Sequence, residues 1–264
     1  MDFFDSLVHP TPDGQWLQTP FDARLDRLIR DMEDGGVDRA CLVGIAEVMR
    51  NEDVLQMARA HPGRLVPIAG FNPASFDTTD AVKAAVAEIA RAGFAGIKLH
   101  CRFNRYDPLD ARALAAVDAA GACGLPAFVC TLFRQPTRVT LHPADIVDRL
   151  AKACPKTRIV LLHGGASSLL DLFELGRMHD HLIIDLSFTL LRYANSSLEA
   201  DMRFMCRNLD QRVTFGSDFP EYMPSAAKKK ILELTEDLPD EKRRAIFHGN
   251  LDRLFASWFE RAPR

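Results

Sequence analysis

Five short apolar runs in the chain are each followed by a residue that can move a proton, carry charge or bind a metal. One run ends in His9-Pro10, and another in Lys98-Leu99-His100 with Arg102 and Arg105 close behind. A third ends in Cys130 with Arg134 soon after, a fourth in His163-Gly164-Gly165, and a fifth in Ser217-Asp218-Phe219-Pro220-Glu221. An imidazole can take or give a proton near neutral pH, a carboxylate can activate water, and ammonium and guanidinium groups grip anions. Singly, each residue has a structural explanation. A histidine can be a satisfied core residue, a cysteine small core filling, a lysine stem a cover for apolar surface, and an aspartate the cap of the next helix. Together, four such chemistries at five run ends are hard to obtain from packing alone. An Asp or Lys aimed into a buried space also costs several kcal/mol unless it is paired or used.

The runs that position these residues belong to a set of eight. They are Phe3–Val8, Arg39–Gly44, Leu65–Gly70, Phe94–Leu99, Pro126–Cys130, Ile159–Leu162, Leu182–Leu186 and Val213–Gly216. Each has strand length and is almost continuously apolar, as strands covered on both faces must be. Helical patterns separate them, over Ala23–Glu33, Glu52–Ala60, Thr79–Ala92, Asp110–Cys123, Ala144–Ala153, Ser167–Arg177, Leu198–Leu209 and Pro224–Glu236, with two further helices after the eighth run. In the third, Val82, Val86 and Ile89 form an apolar stripe and Gly93 ends the helix. Eight strand–helix repeats in 264 residues predict an α/β protein, a (β/α)8 TIM barrel forming a single domain over 1–264. An open doubly wound sheet alternates in the same way, but no run here is followed by its usual glycine-rich phosphate loop. In a barrel, chemistry belongs at the C-terminal strand ends, and the five polar clusters fall there. Lys98 and His100, two apart on a strand, are expected to face the same way.

Composition bounds the function. With 47% hydrophobic and 26% charged residues and a net charge of −3, the chain has neither the polarity of a disordered segment nor the basic surplus of a nucleic-acid binder. The six cysteines are scattered without a CxxC pair, which predicts reduced thiols and a cytoplasmic protein. No apolar run approaches the roughly 20 residues of a membrane span, so no membrane partner is expected. His61, His142, His179, His181 and His248 read as helix-end and loop residues, Lys228-Lys-Lys as a solvated helix face, and Leu186–Ala194 as a loop packed under its neighbours.

Taken in order, the motifs FDSLVHP (4–10), GIKLH (96–100), VLLHGG (160–165), LIIDLS (182–187), RVTFGSDFPE (212–221) and IFHGNLDRLF (246–255) resemble the amidohydrolase superfamily, in its amidohydrolase-related branch of metal-dependent hydrolases and decarboxylases. The resemblance implies that His163 lies beside the reacting carbon as acid/base or electrophile. It implies that Asp218 ligates metal and shuttles a proton, and that His9 is the second histidine of a strand-one His-x-His pair. Lys98 and His100 match positions that contact an anionic group of the substrate. Where the resemblance implies two further metal-binding histidines, this chain has Leu7 and Cys130. His9, Cys130 and Asp218 could still hold zinc with an open fourth position, since a thiolate is a good zinc ligand. A set with one thiol that must first lose its proton tips the balance toward a protein without tightly bound metal.

Three readings follow. The first is a hydrolase cutting a C–O or C–N bond of a small carboxylated lactone, ester or amide. In it Asp218 activates water, His163 polarises the carbonyl or acts as acid, and Lys98, His100, Arg102 and Arg134 bind the anionic substrate. The second is a decarboxylase of the same barrel family, and the third a non-catalytic binding protein with the same fold. Whether copies associate into a homo-oligomer is left open by the sequence.

Overall fold

The computed structural model describes residues 1–132 and 142–261. All eight apolar runs become parallel strands of one sheet, hydrogen-bonded in sequence order. They are β1 (Phe4–Val8), β2 (Arg39–Val43), β3 (Leu65–Phe71), β4 (Gly96–Leu99), β5 (Ala127–Cys130), β6 (Ile159–Leu162), β7 (Leu182–Asp185) and β8 (Val213–Thr214). The helices are α1 (Leu25–Gly35), α2 (Asn51–Ala60), α3 (Thr79–Ala92), α4 (Cys101–Asn104), α5 (Ala111–Ala122) and α6 (Pro143–Ala153). After them come α7 (Leu169–Met178), α8 (Thr189–Arg192), α9 (Leu198–Asn208), α10 (Pro224–Leu234), α11 (Asp240–Arg244) and α12 (Asn250–Arg261).

The last strand returns to the first. Ser6 N–H donates to the Phe215 carbonyl at 3.0 Å, Asp218 N–H to Leu7 at 3.0 Å, and His9 N–H to Phe219 at 2.8 Å. These bonds close the sheet into a TIM barrel, as the alternation predicts. Regular pairing of β8 covers two residues, and beyond them Asp218 takes a φ of 62°. The carboxylate of Asp5 compensates by accepting from Ser217 N–H at 3.0 Å.

Alternation along the strands sorts the apolar residues into two cores. Phe4, Leu7, Cys41, Val66, Phe128, Val160, Leu162 and Ile183 pack inside the barrel, where Leu251 and Phe255 of α12 join them. Phe255 stacks on Phe128 with ring centroids 6.3 Å apart and planes 8° apart, so α12 seals the floor. Fully burying each such ring is worth roughly 1.5–3 kcal/mol. Ala40, Leu42, Ile97, Val129, Leu161 and Ile184 face outward, into the larger core shared with the helices. The inward rows that hold Phe128 and Ile183 continue to Cys130 and Asp185, two residues on, at the opposite end of the barrel from the floor.

The helices start and stop where the sequence signals say. Thr78 caps α3 by accepting from Ala81 N–H at 3.2 Å, and Gly93 ends it at φ 98°. Helix α7 begins later than the apolar pattern suggests, because Gly164, Gly165 and Ala166 all take positive φ and form a tight turn first. The Lys228-Lys-Lys stretch corrects its expectation. Lys228 donates to the Gly35 and Gly36 carbonyls at 2.8 Å each, closing the C-terminal end of α1, and Lys230 pairs with Glu199 at 2.9 Å. Of the three lysines, Lys229 alone is exposed.

Candidate active site at the barrel mouth

His9 sits just past β1 and is 1% exposed. Its Nδ1 lies 2.5 Å from the Val43 carbonyl oxygen, which can only accept, so the proton is on Nδ1 and the lone pair on Nε2. That lone pair receives the Lys98 ammonium at 3.2 Å, and Asp218 Oδ1 lies 3.5 Å from the same nitrogen. Trp16 stacks flat on the ring, with centroids 5.1 Å apart. Lys98 and His9 lie 89 positions apart, and no local pattern foretells their bond.

The other strand ends converge on the same ammonium. Lys98 is fully buried, and its charge acts on His9, His100, Cys130, His163 and Asp218. Burial, then Lys98, pushes the His100 imidazole down to about 2; burial, then Lys98, pushes His163 down to about 3. Burial likewise, with Lys98 after it, holds His9 well below its ordinary value. All three rings are therefore neutral at physiological pH. Asp218 goes the other way: burial raises its carboxyl to about 7, against the pull of Lys98. Burial also raises the Cys130 thiol and lowers the Lys98 ammonium.

His163 and Asp218 share a backbone peculiarity, with φ of 67° and 62°. Non-glycine residues at positive φ carry strain that the surroundings must hold in place. The His163 carbonyl accepts from the Thr189 hydroxyl at 2.6 Å, and Asp218 is tied to β1 through the Leu7 carbonyl. His100 lies beyond the last residue of β4 and starts α4, where its Nδ1 accepts from Phe103 N–H at 3.4 Å. Arg102 is exposed on α4, and its charge reaches His100, Cys130, His163 and Glu221. Arg105 is exposed and ends α4, whereas Arg134 lies outside the described residues. A cleft of about 740 Å³ is lined partly by Thr11, Gln15, Glu47, Arg50 and Phe103. It meets the buried cluster at Phe103, whose ring centroid is 5.9 Å from that of His100.

Two buried acids escaped the sequence reading. Asp5 and Asp185 are both fully buried below the mouth. Asp185 accepts from the hydroxyls of Ser6, Ser187 and Thr214 and from Ser187 N–H. Burial raises Asp5 to about 7, and the nearby charge of Asp185 adds to the rise. A carboxylate inside an apolar strand was the available signal, in FDSLV and LIIDLS. Among the other histidines, His179 meets Asp148 at 3.0 Å and His248 meets Asp252 at 2.7 Å, away from the mouth.

The donors expected to hold a metal do not fit one as they stand. Leu7 belongs to the inner core, and the one lone pair His9 can offer is covered by the Lys98 ammonium. Cys130 is buried with its thiol pushed toward the protonated form. Among the described residues no three His, Cys, Asp or Glu side chains are grouped as ligands. A divalent ion at His9 Nε2 would lie against a buried positive charge, which low dielectric makes costly.

The fold is a parallel eight-stranded TIM barrel, with the candidate residues gathered at the C-terminal ends of its strands. The amidohydrolase family model matches residues 11–256, and the chain belongs to that family, whose fold carries hydrolases and decarboxylases. No curated protein matches the chain. Among solved structures, an uncharacterised TIM-barrel protein from Bordetella bronchiseptica is 18% identical with a TM-score of 0.81, over 98% of this chain and 100% of that one. A probable 2-pyrone-4,6-dicarboxylic acid hydrolase from Acinetobacter baumannii, with citric acid bound, is 15% identical with a TM-score of 0.72, over 97% and 100%. A 5-carboxyvanillate decarboxylase from Sphingomonas paucimobilis is 15% identical with a TM-score of 0.73, over 97% and 99%. No helix among the described residues is long and apolar enough to cross a membrane.

Proposed function

We propose that the protein hydrolyses a C–O bond of a small carboxylated lactone or ester, with the C–N bond of an amide as the more demanding variant. The observation that carries this reading is the buried convergence of Asp218 and Lys98 on His9, at 3.5 and 3.2 Å, at the end of the barrel where the family does its chemistry. Asp218 takes a proton from the attacking water. The carbonyl oxygen gathers negative charge beside the Lys98 ammonium, where a fixed positive charge in a dry site stabilises it. As the C–O bond breaks, Asp218 returns the proton to the leaving oxygen. His163 faces the same reacting atoms, and Arg102, with Arg134, grips the substrate carboxylate.

The likeness to the dicarboxylic acid hydrolase favours an anionic ring ester as the first substrate to test. The likeness to the decarboxylase favours a second reading. There Asp218, protonated near neutral pH, delivers its proton to the carbon that loses CO2. A panel of carboxylated lactones, esters, amides and aromatic carboxylates, monitored for acid release and for dissolved CO2, separates the two. Hydrolysis of a carboxylated lactone or ester without CO2 supports the first reading, and CO2 release replaces it with the second.

A further inference from the structure

His163 Nδ1 has two oxygen neighbours, both from Ser187: the carbonyl at 3.3 Å and the hydroxyl at 3.4 Å. The carbonyl can only accept. The hydroxyl has one proton, and that proton is donated to Asp185 Oδ1. Both oxygens therefore present lone pairs to the imidazole, and only an Nδ1–H satisfies them. Asp185 fixes this polarity. It collects the Ser6 hydroxyl on Oδ2, the Thr214 hydroxyl on Oδ2 at 3.0 Å, and Ser187 N–H on Oδ1 at 3.1 Å. Burial pushes its carboxyl up, but the four donors aimed at it oppose that push and make the group an acceptor on both oxygens. Ser187 and Asp185 are fully buried, and His163 is 3% exposed, so no bulk water competes for these bonds.

We propose that Asp185 is a positioning residue: acting through the Ser187 hydroxyl, it locks His163 in the Nδ1–H tautomer and presents Nε2 to the barrel mouth as a proton acceptor. This rests on the hydrolase reading for its use, though not for its geometry. It assigns His163 a part other than polarising the carbonyl, which would need a hydrogen on Nε2. In the hydrolytic step Nε2 accepts a hydrogen bond from the second hydrogen of the attacking water while Asp218 removes the first. The water's lone pair is thereby aligned on the carbonyl carbon, and carbonyl polarisation is left to Lys98.

The experiment reads the tautomer directly, by ¹⁵N–¹H correlation spectra of the histidine-labelled protein at neutral pH, with His163→Asn assigning the signal. The expected result is a protonated Nδ1 and a bare Nε2 on His163. An Nε2–H tautomer or an imidazolium overturns the proposal, whatever substrate is later found. Asp185→Asn isolates the role of the acid. Its amide can donate to the Ser187 oxygen, freeing the hydroxyl to turn toward Nδ1 and letting the Nε2–H form appear. Ser187→Ala, which removes the link and keeps the acid, is the alternative if the first variant does not fold. In either folded variant, an altered His163 signal and a fall in kcat of roughly tenfold or more, with KM little changed, are expected. An unchanged His163 signal in a folded variant overturns the role of Asp185. Failure of every substrate in the panel would overturn the hydrolase reading alone, since the tautomer is measured without substrate.

Discussion

The Lys98 ammonium is hydrogen-bonded to His9 at 3.2 Å, so the positive charge in the barrel mouth is one the chain carries itself. Chelator treatment should therefore leave turnover intact, and dialysed protein should hold far less than one zinc per chain by elemental analysis. One tightly held zinc, with activity lost on chelation and restored by zinc, would return His9, Cys130 and Asp218 as its ligands. In that case Cys130→Ser should release it.

His163→Asn and Asp218→Asn should each lower kcat by roughly 10²–10⁴-fold, the usual share of a positioned acid or base. Far-ultraviolet circular dichroism and the melting temperature should show that the fold is kept. Undiminished turnover in either folded variant would remove that residue from the reaction.

The sign of the pH profile tests how Asp218 is used. Burial puts its carboxyl at about 7, and the ionised form is the base, so kcat/KM should rise with pH through neutrality. Lys98 holds that value down, so in Lys98→Met the rising limb should move to higher pH. A limb that falls with pH instead would mark Asp218 as a proton donor and favour decarboxylation.

Substrate charge should matter through Arg102. Arg102→Met should raise KM for a carboxylated substrate several-fold with little change in kcat, as loss of ground-state binding does. Equal kcat/KM for a neutral analogue and its carboxylated parent would remove the anionic-substrate assignment.

Asp5 should set a pH dependence of stability. Its native carboxyl titrates at about 7 rather than at the ordinary 3.8, so the folded state holds the proton more tightly than the unfolded chain. This contribution is complete below pH 3.8 and is lost as the pH rises to 7. At about 1.4 kcal/mol per pK unit it amounts to a few kcal/mol. Asp5→Asn keeps an oxygen for Leu7 N–H and Ser217 N–H, so it should lose less stability than the wild type between those pH values. Parallel urea midpoints across that range would contradict this.

The barrel was legible because its strands are covered on both faces, which leaves unbroken apolar runs such as Ile159–Leu162. The site was legible in part, since a residue like Asp218 or His163 has little packing reason to end such a run. The links between strands were not legible. Nothing local to Lys98 points to His9, and nothing in LIIDLS reveals that Ser187 turns its hydroxyl proton to Asp185 and its lone pairs to His163. Lys228 shows the same limit at the surface. Its place in a basic run suggests solvent, while its partners on α1 lie far away in sequence. The short helices α4 and α8, of four residues each, carry too few positions to show a period.

The closing hydrogen bonds between β1 and β8 join parts of the chain about 210 positions apart, as Asp5 and Ser217 show at a separation of 212. His9 and Asp218 meet across that same seam. The seam joins residues made early in synthesis to residues made late, so it forms only after nearly the whole sheet has been laid down. A nascent or partly opened chain can hold most of its helices and strands and still lack a working centre. Any form in which this seam is open leaves His9 and Asp218 apart.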